Sequence, residues 1–351
     1  MLRIDDDLAF MLKFENVAWY EKGQVKILDR RIYPRKIEFV ICNNHKEVAN
    51  AIRDMVTQSA GPYTAAGMGM ALAAFECRDM DNIKKIDYLE KAAKDIYSAR
   101  PTTKDRMIEV TEGCLEIAKN NINSKNLDNI ISNYTIKTME NRYERIGKVA
   151  KYLVKMFPDN GKILTQCYGE TIIGMMLKEC KKQNKNIELY CAETRPFLQG
   201  ARFTASVACD MGFKVTVITD NMIAATIKNK KIDLFTSAAD SITRDGYVVN
   251  KVGTSQMAIV SKYYEIPYFV TGIPDSVESI NNIKIEERDP KKVLECNGIK
   301  NTLDGVKGYY PAFDITPPHL ISGVVTDTGI YSPYDLENYK SSDGSFYSFA
   351  V

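Results

Sequence analysis

Two rhythms of apolar positions run along the chain. Over residues 1–42 the apolar runs are short: MLKFEN (11–16), VAWYEK (17–22), QVKILD (24–29) and KIEFVIC (36–42), separated by turn or charged residues. Runs of that kind predict strands. From 45 to 135 the spacing becomes helical. Val48, Ile52, Met55 and Val56 share one face, and Ile86, Leu89, Ala92, Ala93 and Ile96 share another. The N-terminal third is therefore expected to be a small β-sheet feeding a helical bundle.

The second half alternates. Strand-like runs at 162–166, 187–191, 214–219, 233–238 and 267–271 are separated by helical segments at 171–182, 200–210, 221–228 and 254–264. This is the signature of βαβ units, an α/β fold whose parallel sheet carries helices on both faces. A polar amphipathic helix around 125–157 bridges the two parts. The expected domains are 1–135, a β-sheet plus helical domain, and 136–351, the domain of the parallel sheet. No Pro/Gly/Ser linker, low-complexity segment or internal repeat is visible.

In open parallel sheets ligands bind beyond the carboxyl ends of the strands. The first strand of the second half ends at Cys167. Glu193, Thr194, Arg195 and Gln199 follow the second, Asp220 and Asn221 the third, and Asp240 the fourth, with Asn250, Lys251 and Thr254 close behind. Basic groups and helix starts rich in Gly, Ser and Thr suit an anion such as phosphate. A thiol beside a helix N-terminus is expected to have a lowered pKa, and Cys with Asp makes an acid/base pair that needs no metal. The bland alternatives are a structural cysteine, capping by Asp220 and Asp240, and surface charges at Arg195 and Lys251.

Composition narrows the reading. Hydrophobic residues make up 45% of the chain, enough for a sizeable core. The 47 basic and 45 acidic residues leave a net charge of +2, with no electrostatic footprint for nucleic acid or an anionic membrane. The eight cysteines form no CxxC pair, no apolar run approaches the roughly 20 residues of a membrane span, and MLRIDDDLAF lacks a signal-peptide core. We expect a reduced, soluble, cytoplasmic protein. With only His45 and His319, a histidine metal site is not expected. GxxxxGK[ST] and GxGxxG are absent, so no nucleotide cofactor is expected either.

Longer motifs carry a resemblance. CAETRPFLQGARFTA (191–205), AADSITRDGYVVNKVGTSQMAIVSKYYEIPYFV (238–270), IEERDP (285–290) and YYPAFDITPPHLISGVVTDTGIY (309–331) resemble segments of methylthioribose-1-phosphate isomerases. ILDRRIYP, EVANAIRDM, GMALAA and SARPT near the N-terminus fit too, so the resemblance covers nearly the whole chain. It implies a C-terminal Rossmann-like domain, a homodimer, and conversion of an aldose 1-phosphate to a ketose 1-phosphate. The family's catalytic cysteine and aspartate match Cys167 and Asp240. Its substrate-contacting arginine, glutamine and Asn-Lys pair match Arg100, Gln199, Asn250 and Lys251. Its Arg-Gly-Ala-Pro phosphate loop corresponds to TQSAGPYTAAGMG (57–69), with Gln58 near the arginine position. Gln58, Ser59, Ala60 and Gly61 are therefore the expected phosphate contacts, in a loop running from Ser59 to Gly67. Two further segments depart from the family: its Cys-Asn-Ala-Gly reads Cys167-Tyr168-Gly169-Glu170, and FTASVACD follows QGAR where a Trp-Glu pair is usual.

A sugar phosphorylated at C1 has no free aldehyde, so its ring must open before isomerisation. Asp240 is the expected group at the ring oxygen. Cys167 either moves a proton between C2 and C1 or walls a water-poor site for a hydride shift. The expected substrate is a 5-substituted ribose 1-phosphate, methylthioribose or 5-deoxyribose 1-phosphate, with Tyr168 and Tyr63 near the 5-position. The alternative is a non-catalytic sugar-phosphate or nucleotide sensor, like the regulatory subunits of initiation factor 2B that share the fold.

Overall fold

The computed structural model describes residues 3–100, 104–274 and 279–341. The chain divides into two compact units, one ending at Arg145 and one beginning at Ile146.

The first unit opens differently from its pattern. MLKFEN forms no strand: a 3₁₀ turn at Phe10–Leu12 leads into a short helix, α1 (Phe14–Val17). Met11, Phe14 and Val17 recur every third residue and are fully buried, a helical spacing that overrides the apolar count. The Asp5 carboxylate fixes the entry by accepting from Phe14 N at 2.8 Å. The other three runs form an antiparallel sheet in the order β1 (Ala18–Glu21), β2 (Gln24–Leu28), β3 (Phe39–Cys42).

Five helices follow: α2 (His45–Arg53), α3 (Gly61–Glu76), α4 (Asn82–Tyr97), α5 (Lys104–Asn120) and α6 (Leu127–Val154). Asn44 caps α2 by accepting from Glu47 N at 3.0 Å, and Asp81 caps α4 through Lys84 N at 3.0 Å. Helix α3 is apolar on every side, and every residue from Gly61 to Ala74 is buried. An all-round apolar helix is a core helix. The apolar run at 62–75 thus forms this unit's own interior. The expected Ser59–Gly67 loop is also shorter than its motif suggests, because Gly61 already begins α3.

The second unit carries a seven-stranded sheet. Its strands in chain order are β4 (Lys162–Thr165), β5 (Glu188–Ala192), β6 (Lys214–Ile218), β7 (Leu234–Ala238), β10 (Tyr268–Thr271), β14 (Gly323–Val325) and β15 (Ile330–Tyr331). Across the sheet the order is β15-β14-β10-β7-β4-β5-β6. The pairings are parallel except that of the edge strand β15. The connecting helices are α7 (Glu170–Lys182), α8 (Ala205–Asp210), α9 (Ile223–Lys230) and α10 (Thr254–Tyr263). Parallel strands are buried on both faces, so they read as continuous apolar runs. Leu164, Phe235, Tyr268 and Val270 lie in the core, with the Phe235 and Tyr268 rings stacked at 4.3 Å.

Two smaller sheets complete this unit: β8 (Ser241–Ile242), β9 (Val248–Lys251) and β13 (Phe313–Thr316), and the hairpin of β11 (Glu295–Cys296) with β12 (Ile299–Lys300). The chain builds β4, β5 and β6 outward, then returns to lay β7 on the other side of β4. The strand order therefore reverses between β4 and β7, where open α/β sheets bind ligands. No helix among the described residues is long and apolar enough to cross a membrane.

Candidate active site

Cys167 and Asp240 flank that reversal. Cys167 lies two residues past β4, and Asp240 two residues past β7. The turn at Cys167 is left-handed, with φ of 58°, a conformation that costs a non-glycine residue of the order of 1–3 kcal/mol. Thr194 and Thr204 hold it there. Cys167 N donates to Thr194 Oγ1 at 3.0 Å, and Thr204 Oγ1 donates to the Cys167 carbonyl. Thr194 is itself left-handed, with φ of 64°. The Asp220 carboxylate fixes it by accepting from Thr194 N at 2.8 Å and Arg195 N at 2.7 Å.

Asp220 and Arg195 therefore build the site's scaffold. The Arg195 guanidinium donates to the Glu295 carbonyl at 2.7 Å, which ties the 193–195 turn to the β11 hairpin.

Gln199 is buried on the next turn, just before a π-helical segment at Gly200–Thr204 that ends on Thr204. A Cβ at position 200 would lie 1.8 Å from the Ala192 carbonyl oxygen, so only glycine lets this turn seat on the end of β5. π-Bulges recur at functional sites, and here one aims Thr204 at the Cys167 turn.

Lys251 and Asn250 end β9. Asp240 N donates to Val249 O at 2.9 Å, which fastens the aspartate to that strand. Lys251 is buried; its Nζ donates to the Ala312 carbonyl at 2.9 Å and lies 4.3 Å from the Phe313 ring centroid. Asn250 Nδ2 donates to Thr254 Oγ1 at 3.0 Å, and Thr254 Oγ1 lies 2.8 Å from Gln166 Oε1. Gln166 in turn donates to Val252 O at 2.8 Å. This network locks the ends of β4 and β9 together.

The thiol corrects an expectation. Burial pushes the Cys167 pKa up to about 11. Lys251 pulls it down, Asp240 pushes it up, and the Tyr168 N–H and Arg288 pull it down, but burial dominates. The helix start beside Cys167 does not produce a thiolate, because desolvation outweighs it. Cys167 is a neutral thiol at pH 7. It borders a small crevice with Gln166, Ile172, Thr204, Thr236 and Thr271.

A second correction concerns α10. Its GTS start reads as an anion site, yet the Asp314 carboxylate fills it, accepting from Gly253 N at 2.6 Å and Ser255 N at 3.1 Å. Burial raises the Asp314 pKa to about 6.

Arg288 and Tyr310 join the neighbourhood of Cys167, since the charge of each bears on the other's titration and Arg288 acts on the thiol. Neither was singled out among the strand-end residues. Their signal was present in IEERDP and YYPAFD, but no strand leads directly into either.

The remaining candidates lie in the first unit. Gln58 is buried, and its carbonyl accepts from Arg30 Nη1 at 2.6 Å. Ser59 is left-handed, with φ of 58°, and Ala60 leads into Gly61, the first residue of α3. A Cβ on Gly61 would sit 1.9 Å from Thr57 Oγ1, so any larger residue there must displace that side chain. Arg100 is half-buried three residues past α4; the last two residues of the SARPT motif, Pro101 and Thr102, lie outside the described residues. The structure thus gathers Cys167, Asp240 and Lys251 at one sheet edge, with Asn250 bracing it and Gln199 on the adjoining turn. Gln58–Gly61 form the start of α3. Among the described residues no group of three His, Cys, Asp or Glu could hold a metal ion.

Comparison with known proteins fits this geometry. A sequence model of the Initiation factor 2 subunit family matches residues 59–333. The methylthioribose-1-phosphate isomerase of Thermotoga petrophila is 32% identical over 343 residues, covering 94% of this chain and 98% of the relative. That of Thermoanaerobacter sp. strain X514 is 33% identical, covering 93% and 97%. Among solved structures, 5-methylthioribose 1-phosphate isomerase from Pyrococcus horikoshii OT3 superposes with a TM-score of 0.82 at 27% identity, over 96% of this chain and 98% of that one. Translation initiation factor eIF-2B subunit delta from A. fulgidus gives 0.80 at 29% identity, over 91% and 96%. On this sequence and structural evidence, the chain belongs to the methylthioribose-1-phosphate isomerase family within the initiation factor 2B alpha/beta/delta superfamily.

Proposed function

We propose that this protein is an aldose–ketose isomerase that converts a 5-substituted ribose 1-phosphate, methylthioribose 1-phosphate or 5-deoxyribose 1-phosphate, to the corresponding ribulose 1-phosphate. The observation that carries the reading is the placement of Cys167 and Asp240 on either side of the strand-order reversal, with Lys251 buried beside them. Its relatives' names supply the substrate class.

The chemistry follows from the groups. Asp240, in its acid form, gives a proton to the ring oxygen, and the bond from C1 to that oxygen breaks. C1 is left as a cation stabilised by its phosphate oxygen. The hydrogen on C2 moves with its electron pair to C1, and the C2 hydroxyl proton returns to the Asp240 carboxylate. The ketone forms at C2 and the aspartic acid is regenerated. A neutral, buried Cys167 supports this hydride route, because it walls the reacting carbons from water without removing a proton. Lys251, Asn250 and Gln199 orient the sugar. The phosphate is assigned to the start of α3 at Gln58–Gly61, where the helix end offers a partial positive charge and Arg100 a full one.

Turnover of a panel of pentose 1-phosphates tests the reading. Methylthioribose and 5-deoxyribose 1-phosphates are expected to react fastest, and 2-deuterated substrate is expected to retain its label at C1 in water. Faster turnover of ribose 1,5-bisphosphate would overturn the substrate, and loss of the label would overturn the hydride route. Binding without turnover of any of these sugars would favour a sensor like the initiation-factor relatives. We also propose a cytoplasmic homodimer. Ile259 and Tyr263 of α10 are exposed, 55% and 80%, and suit a subunit contact. A monomeric mass by light scattering at micromolar concentration would reject the dimer.

A further inference from the structure

The first unit contains a buried cation that the isomerase reading does not use. Arg142, on α6, is 5% exposed. Among the described residues its guanidinium makes one hydrogen bond, from Nη2 to Thr64 Oγ1 at 3.4 Å, and Nε has no partner. Its other contact is the Tyr143 ring, 5.8 Å from the guanidinium carbon. Arg142 borders a narrow crevice between α3, α5 and α6, together with Thr64, Val110, Tyr134, Thr135 and Met139. Among the described residues no carboxylate lines the crevice. A guanidinium offers five N–H donors and cannot give up its proton, so burial cannot neutralise it as it would a lysine. A charge held this deep calls for a counter-ion.

The surroundings define the occupant. Thr135 donates its hydroxyl proton to the Ile131 carbonyl at 3.0 Å, so it presents only lone pairs. Thr64 accepts from Arg142 and keeps its own proton for a second partner. Arg142 and Thr64 thus offer donors at a space whose other walls are Tyr63, Val110, Tyr134, Thr135, Thr138 and Met139. There is room for one water- or halide-sized body without moving the helices, and not for a tetrahedral oxyanion.

We propose that this crevice is a binding site for a single chloride-sized anion, held by Arg142 and Thr64, that neutralises the core of the helical unit. The anion stabilises this unit by mass action, because the unfolded chain holds no such pocket.

Chloride-35 NMR on the intact protein tests the proposal. The chloride line is expected to broaden with added protein, and the excess width is expected to disappear in Arg142→Gln. In thermal unfolding at fixed ionic strength, the wild type in sodium chloride is expected to melt about 2–4 °C above the wild type in sodium gluconate. Arg142→Gln is expected to lose that difference. Broadening that survives in Arg142→Gln, or no broadening at all, would overturn the site. Should Arg142→Gln fail to fold, Thr64→Val takes its place, with loss or survival of the broadening read the same way. Displacement of chloride by equimolar inorganic phosphate would overturn the size assignment.

Discussion

Two helix starts in this molecule carry similar sequence signals and opposite electrostatics. Helix α10 begins at Thr254 after a glycine, and its first N–H groups are filled by the Asp314 carboxylate. Helix α3 begins at Gly61 with no side-chain cap and no acid in its first turn. A helix N-terminus carries a partial positive charge. At α10 the protein has neutralised that charge itself, and the result is a strut that fixes Asn250 and Lys251. At α3 no side chain caps the start, and Gly61 N donates within its own turn, to Gln58 O at 3.1 Å. A Gly/Ser/Thr-rich start is therefore not an anion site until the rest of the chain has been searched for a carboxylate that reaches it.

The largest expected effect separates chemistry from cradle. Asp240→Asn is expected to lower kcat by at least about 100-fold with the fold intact, the scale of losing a positioned acid/base group, and Cys167→Ser is expected to lower it less, because the thiol only walls the site. Steady-state kinetics on methylthioribose 1-phosphate, with circular dichroism as the folding control, checks this. Near-normal kcat in Asp240→Asn would remove that residue from the reaction.

Next is the filled start of α10. The native Asp314 carboxyl keeps its proton up to about pH 6, against 3.8 for the ordinary group. The folded state therefore binds more protons between those values, and this group's contribution makes the protein more stable as pH falls from about 7 to 4. The full swing is of the order of 2–3 kcal/mol. Asp314→Asn cannot ionise, so the wild-type-minus-variant stability difference is expected to rise by about that amount as pH falls across the window in urea titrations. A difference that does not change with pH would mean the carboxyl is not perturbed.

The open start of α3 should act on binding. Gly61→Ala forces the Thr57 side chain aside and is expected to raise KM about tenfold, equivalent to about 1.4 kcal/mol, with kcat little changed. An unchanged KM would place the phosphate elsewhere. The smallest effect concerns the thiol. Lys251 is the strongest group drawing the Cys167 pKa down, so Lys251→Met is expected to slow its alkylation at pH 9 by about threefold, as peptide mapping would read. Faster alkylation in the variant would reverse the assigned influence of Lys251.

Much of the second unit was legible from pattern. Its buried parallel strands read as apolar runs, and the alternation with helices placed Cys167 and Asp240 at strand ends. MLKFEN misled because its apolar count suits a strand, while the positions of Met11, Phe14 and Val17 suit one side of a helix. Arg142 gave no signal either, since an arginine in a polar-looking helix reads as solvated until three helices close around it.

The sequence by itself determined most of the elements, the α/β class and the family, and it pointed to the candidate side chains, because periodicity and motif are local properties of the chain. Tertiary structure alone decided their states. Desolvation raises the Cys167 pKa at a left-handed turn clamped by Thr194 and Thr204. Asp314, 60 residues from Thr254, fills a helix start that local sequence leaves open. Charge and hydration depend on distances between groups far apart in the chain, and those distances exist only once the chain has folded.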